Sequence, residues 1–124
     1  MIEGMHLTPI GSGIVLLEPT DGLDPTDSEA YLQPLVGFLQ RRRTSRLIYD
    51  LKNVPLVDNV YYQWLHALHR MCRITGIELV VANMAPAAAY ALAQLLDGPP
   101  PFACALDVDR ARQPSGTGKG GRFR

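Results

Sequence analysis

Neither sign of charge dominates this chain of 124 residues, in which 12 Lys and Arg face 12 Asp and Glu. Such a balance supplies no overall field to draw in nucleic acid or an anionic membrane, and neither is expected as a partner. No apolar run approaches the roughly 20 residues that a bilayer span needs. Met1 to Thr8 lack the basic-then-apolar pattern of a secretory signal. Cysteine is scarce too. Cys72 and Cys104 have no metal-ligand spacing and each falls in an apolar pattern, so both are expected as reduced, buried core thiols in a reducing cytoplasm. No internal repeat is present. The length suits one domain whose core needs neither metal nor disulfide.

What is there reads as alternating strands and helices. Residues 5–10 and 13–18 look like two short strands around Gly11-Ser12-Gly13, a connection suited to a tight antiparallel turn. After the polar loop Thr20 to Pro25, Thr26 and Glu29 have the spacing of a capping box. Tyr31, Leu32, Leu35, Val36 and Leu39 then form an apolar helical stripe. Pro34 inside it predicts a kink or a late start. Arg41, Arg42 and Arg43 close that helix, where cations complement the dipole as a solvated end. Leu47 to Leu51 is apolar on both sides of its alternation except at Asp50, as a central parallel strand should be.

The clearest helix runs over 59–75. Val60, Tyr61, Trp64, Leu65, Leu68, Met71, Cys72 and Thr75 fall on one face, and Tyr62, Gln63, His66, His69, Arg70 and Arg73 on the other. Gly76 stands where a left-handed cap is wanted. Ile77 to Ala82 predicts a buried strand, and Pro86 opens an Ala-rich helix to about Leu96. Gly98 and three prolines end it. Phe102 to Leu106 predicts a last strand, and Asp107 to Arg112 a short final helix. Residues 1–112 thus form the domain, and the Gly/Arg-rich residues 113–124 are expected as a disordered tail. The alternation from residue 46 onward implies parallel strands and right-handed crossovers. The fold class is α/β, a four- to five-stranded mixed sheet with helices packed mainly on one face. Few elements remain for the other face, which is expected to be polar or to bind something.

Most candidate sites dissolve on inspection. His66 and His69 lie three apart, but no third ligand is placed to complete a metal site, and surface histidines are the simpler reading. Gly11-Ser12-Gly13 and Gly116-Thr117-Gly118-Lys119 lack the spacing and the strand-to-helix context of a phosphate loop. The serines at 12, 28, 45 and 115 fall mostly in turns or the tail, and the cysteines look buried, so no nucleophile meets a base. Asp50, at a strand end, is the best enzyme-like residue, although alone it more often caps the next turn. Trp64 reads as core. No catalytic residue, metal or cofactor is predicted, and the chain is not expected to be an enzyme. Asp58 and Asn59 remain, at the start of the clearest helix. One of them is an N-cap, contributing roughly 1 kcal/mol over Ala. A helix N-terminus also holds or senses negative groups, because its first N–H groups are unpaired and its dipole is positive there.

The run Leu47-Ile-Tyr-Asp-Leu-Lys-Asn-Val-Pro-Leu-Val-Asp58-Asn59 resembles the core of the STAS domain (sulfate transporter and anti-sigma factor antagonist). In that family a strand ending Asp-Leu or Asp-Ile leads through a short turn to Asp-Ser, and the Ser opens the next helix. Val80-Val-Ala-Asn-Met-Ala-Pro86 and the Ala-rich helix after it look like the corresponding strand, turn and helix of stressosome-type members. The resemblance covers roughly residues 5 to 112. It implies a bacterial signalling module acting in the stress response and in transcription regulation, whose Ser or Thr after the Asp is phosphorylated by a dedicated kinase. The unmodified form binds a kinase-like anti-sigma factor or other STAS proteins. The phosphorylation-site equivalent here is Asn59, which has no hydroxyl. Between Gly76 and Pro114 there is no Ser or Thr to serve as a second acceptor.

Phosphate at this position would bring about −1.5 to −2 charges to the middle of a binding surface. Asn59 is neutral, is expected to cap the helix, and cannot receive that charge. The surface is therefore expected to stay in its unmodified, binding-competent state. The expected partner-binding residues are Asn53, Val54 and Pro55 of the turn, Asp58, Asn59, and Tyr62, Gln63 and His66 on exposed first turns of the helix. Tyr62 is the expected anchor, because interface hot spots favour aromatics. The competing reading is a STAS domain that binds a nucleotide, an anion or a lipid head group at the same helix start. An exposed sheet edge also leaves a homodimer open.

Overall fold

Two strands that are apolar on both faces can only sit in the middle of a sheet, and β3 (Arg46–Asp50) and β4 (Glu78–Ala82) do so. In the computed structural model, which describes residues 2–114, five strands lie in the order β1-β2-β3-β4-β5. The outer strands are β1 (Met5–Pro9) and β5 (Ala103–Ala105), and β2 (Ile14–Pro19) completes the sheet. β1 runs antiparallel to β2, with Leu7 opposite Leu17, and every other pair is parallel. The α/β class and the mixed sheet expected from the alternation are what the chain forms. The expected tail lies almost wholly outside the described residues.

The β1–β2 connection needs left-handed backbone. Gly11, Ser12 and Gly13 all have positive φ, and a Cβ on Gly13 would meet Ser45 Oγ at 2.9 Å. Ser45 N–H donates to Gly13 O across 2.7 Å, tying this turn to the start of β3.

Helix α1 (Ser28–Arg41) corrects two expectations. Its N-cap is Asp27 and no capping box forms, because Thr26 is drawn into the preceding turn. There the Thr26 hydroxyl donates to Asp24 Oδ1 at 2.6 Å and the Thr26 N–H to the same oxygen at 3.0 Å. The helix also does not wait for Pro34, which sits exposed inside it. Helix α2 (Asn59–Thr75) has the bounds its sequence predicts, with Gly76 at φ 76° as its left-handed cap. Helix α3 (Pro86–Leu95) begins on its proline.

The main core lies between the sheet and these three helices. Leu17, Leu47, Tyr49, Leu79 and Val81 face it from the strands, Tyr31, Leu35 and Leu39 from α1, and Trp64, Leu65, Leu68 and Cys72 from α2. Tyr31 and Trp64 meet edge to face, with centroids 5.5 Å apart. The opposite face was expected to be polar or to bind something. It instead buries Ile14, Ile48, Val80 and Ala82 under Ala111 of helix α4 (Val108–Ala111). Arg46 holds that short helix in place: its Nη1 donates to the carbonyls of Ala111 (2.8 Å) and Gln113, while Nη2 lies 2.8 Å from Glu78 Oε1. An arginine on the α4 face of β3 thus supplies the C-terminal cap that a single-turn helix lacks. Cys104 is a further correction. It is exposed because β5 is a three-residue strand at the edge of the sheet among the described residues, whereas Cys72 is buried. Both thiols are free.

Candidate functional site at the start of helix α2

β3 ends on Asp50, a carboxylate that is 5% exposed. Its Oδ1 accepts the Lys52 N–H at 2.8 Å and the Asn83 Nδ2–H at 2.9 Å. Asn83 stands just after β4 at φ 62°. One carboxylate oxygen therefore pins the β3–α2 turn to the β4–α3 turn, which is a capping role. Val54 N–H donates to Leu51 O, and Val57, with no exposure at all, anchors the far end of the turn in the main core.

Between those anchors the helix start is presented outward. Asp58, in extended backbone, accepts the Tyr61 N–H on Oδ1 at 2.8 Å. Asp58 is thus the N-cap, which corrects the expectation that Asn59 fills that role. Asn59 is the first helical residue and its side chain is exposed. Asn53, Pro55, Asp58 and Gln63 are exposed with it, and Val54 is half-buried.

Tyr62 and His66 do not belong to the open surface as expected. Tyr62 is 9% exposed, with its ring 5.9 Å from that of His66 and 6.5 Å from that of Phe102. His66 is half-buried beside it, and His69 meets Phe102 edge-on at 6.2 Å. The reason is a rotation of the buried arc. Successive residues turn about 100° around a helix, and Phe102, arriving from the α3–β5 connection, covers the flank that the sequence pattern assigns to solvent. The opposite flank opens in exchange. Val60, placed on the apolar stripe by spacing, is 43% exposed, and Leu56 in the turn is 59% exposed. These two apolar side chains flank Asp58 and Asn59 and were not among the expected contacts. Leu56 lies outside any periodic pattern, and the spacing of Val60 pointed to the core, so the sequence carried no signal for the exposure of either.

Beneath this surface runs a polar relay. Trp64 Nε1–H donates to Tyr49 Oη at 2.8 Å, and Tyr49 Oη lies 2.7 Å from Tyr61 Oη. Burial pushes the Tyr61 hydroxyl up to about 12 and raises Tyr49 well above the ordinary tyrosine value. Burial likewise pushes the Cys72 thiol up to about 12, and partial desolvation of the sulfur raises that of Cys104 although the residue is exposed, so neither is poised as a thiolate. Among the described residues, no group of three or more His, Cys, Asp and Glu is placed to hold a metal ion. No helix among them is long and apolar enough to cross a membrane.

A five-stranded mixed sheet with helices after β3 and β4 is the STAS-like fold that the sequence resemblance implied. Two solved structures show it. A Moorella thermoacetica RsbS carrying a serine-to-glutamate substitution is similar at a TM-score of 0.74, with 16% identity over 85% of this chain and 90% of that one. A chain from the molecular architecture of the stressosome, described as a signal integration and transduction hub, gives a TM-score of 0.73 with the same identity and coverage. No family model and no curated protein matches the sequence.

Proposed function

We propose that this chain is a non-enzymatic signalling module that docks onto another protein, a kinase-like anti-sigma regulator or another STAS domain, through the start of α2. The observation that carries the reading is the exposure of Asn59 at the first helical position, flanked by Leu56 and Val60. A neutral amide beside two exposed apolar side chains makes a contact that desolvates readily, and a kinase has no hydroxyl there to charge. The docking surface is Asn53, Pro55, Leu56, Asp58, Asn59, Val60 and Gln63. Tyr62 and His66 support it from below.

The test uses the favourable electrostatics of the helix start. Asp at the first helical position interacts well with the dipole, so Asn59→Asp should fold at least as well as the parent. It should nonetheless lose the protein that co-purifies with the parent chain from its native cell lysate, and Val60→Asp should lose the same one. Labelled ATP and lysate should put no phosphate on the β3–α2 turn. Retention of every partner by both variants would sink the reading.

A further inference from the structure

The balanced charge of the whole chain conceals a separation along the strand axis. The parallel strands all point to one end of the molecule, and that end is acidic. Asp21 and Asp24 lie in the loop after β2, Asp27 caps α1, and Glu29 is in its first turn. Glu3 joins them, because β1 starts there, with Met5 opposite Pro19. Asp50 and Asp58 bracket the β3–α2 turn, and Asp107 follows β5. Among the described residues, the cations at this end are Lys52 and Arg110, the latter paired with Asp107 across an exposed 2.6 Å contact.

The other end is built of arginine. Arg41, Arg42 and Arg43 finish α1, and Arg70 and Arg73 lie in the last turns of α2, all five exposed. Arg112 arrives with the end of α4, which is fixed here by Arg46 and by the bond from Arg112 Nη2 to Ile10 O. One of these groups has local company: Arg42 lies 4.5 Å over the Phe38 ring. Glu78 and Asp97 are the acids at this end. Helix dipoles explain part of the sorting, since acids suit helix starts and cations suit helix ends. Each helix end, however, carries only about half an elementary charge. Three long helices therefore ask for one or two compensating charges per end, far fewer than are present.

We infer that the arginine end is a second interaction surface and that its occupant is the acidic end of another copy of this chain, in a head-to-tail contact. Both complementary surfaces are on one neutral molecule and so are always at equal concentration. Guanidinium–carboxylate pairs favour this contact geometrically as well as electrostatically. A nucleic acid or anionic vesicle, by contrast, would gain the arginine end while the acidic end repelled it. Contacts of this kind are heterologous, so they extend into open chains or close into rings.

Sedimentation velocity over a concentration series tests the inference. At about 10 mM salt, where screening is weak, the parent should grow in average mass with concentration; at about 1 M salt it should run as a monomer. The triple variant Arg41→Glu, Arg70→Glu, Arg73→Glu should stay monomeric at low salt. So should Glu3→Lys, Asp21→Lys, Glu29→Lys. An equimolar mixture of the two triple variants should associate again. Circular dichroism checks that each folds, and glutamine versions of the same positions should weaken association about tenfold if a reversal variant does not. A parent that is monomeric at low salt, or a mixture that fails to associate, overturns the inference. So does a parent that binds duplex DNA or phosphatidylserine vesicles yet stays monomeric. None of the six substituted residues lies in the Asn59 surface, so this result is independent of that reading.

Discussion

Leu47 and Ile48 are adjacent in β3, both without any exposure, and they point into different proteins in miniature. Leu47 faces the side where three helices press aromatic and aliphatic side chains against the sheet. Ile48 faces the side closed by one turn of helix, held at its end by one arginine. Equal burial therefore does not mean equal packing. A cavity on the helical side is walled by elements fixed elsewhere. On the far side, α4 can settle into the space.

The largest expected effect follows from that contrast. Leu47→Ala should lower unfolding free energy by about 3–5 kcal/mol, and Ile48→Ala by about 2–3, because the cost grows with the cavity that remains. Equilibrium urea unfolding measures both, and equal values would erase the distinction between the faces.

Next comes alkaline pH, which acts through the helical side. The Tyr61 hydroxyl is held near 12 against an ordinary 10.0. The unfolded chain then releases its proton first, so stability is complete below about pH 10 and falls as pH rises toward 12. Tyr61 alone should account for roughly 2–3 kcal/mol of that loss. Cys72, pushed up to about 12 from 9.0, adds to the same limb from lower pH. Tyr61→Phe should flatten the decline between pH 10 and 12 in a series of urea titrations.

Arg46→Met tests the far side at its clip. The methionine keeps much of the stem but not the bonds to Ala111 O, Gln113 O and Glu78, and the loss should be about 1–2 kcal/mol. Hydrogen exchange should quicken over 108–112 before it does in α2. The smallest effect belongs to His69, whose Nδ1 is buried without a partner. Burial, Arg73 and His66 lower its proton affinity below the ordinary 6.5. The unfolded state takes the proton first on acidification, so the contribution of His69 is present above pH 6.5 and lost below it. His69→Leu should remove this slope from the acid side of the stability curve.

What was legible in the sequence was chemistry confined to a few neighbouring residues. The bounds of α2 follow from Asp58 and Gly76, the start of α3 from Pro86, and the sheet centre from unbroken apolar runs. Legibility ended where a distant segment decided. Tyr62 lies in the core and Val60 on the surface, the reverse of their spacing, because Phe102, forty residues on from Tyr62, chooses the flank that is covered. The far face looked open because nothing local to Asp107–Arg112 reveals that Arg46 will hold that short helix against it. The capping box at Thr26 lost to a competitor two residues upstream, Asp24, whose turn offers the same hydroxyl a 2.6 Å bond. The placement of Asn59 at the start of α2 was legible, and the exposure of Leu56 and Val60 beside it was not, since that exposure is a property of the assembled turn.

The solitary indole of Trp64 is completely buried, hydrogen-bonded to one phenol and stacked edge-on against Tyr31 and Tyr49. Nature has thereby installed an optical gauge. All indole emission comes from one dry, rigid location fed by energy transfer from two tyrosines a few ångströms away. Ligation at either end of the molecule should leave that light unchanged, whereas loosening of the helical side should shift it to longer wavelength.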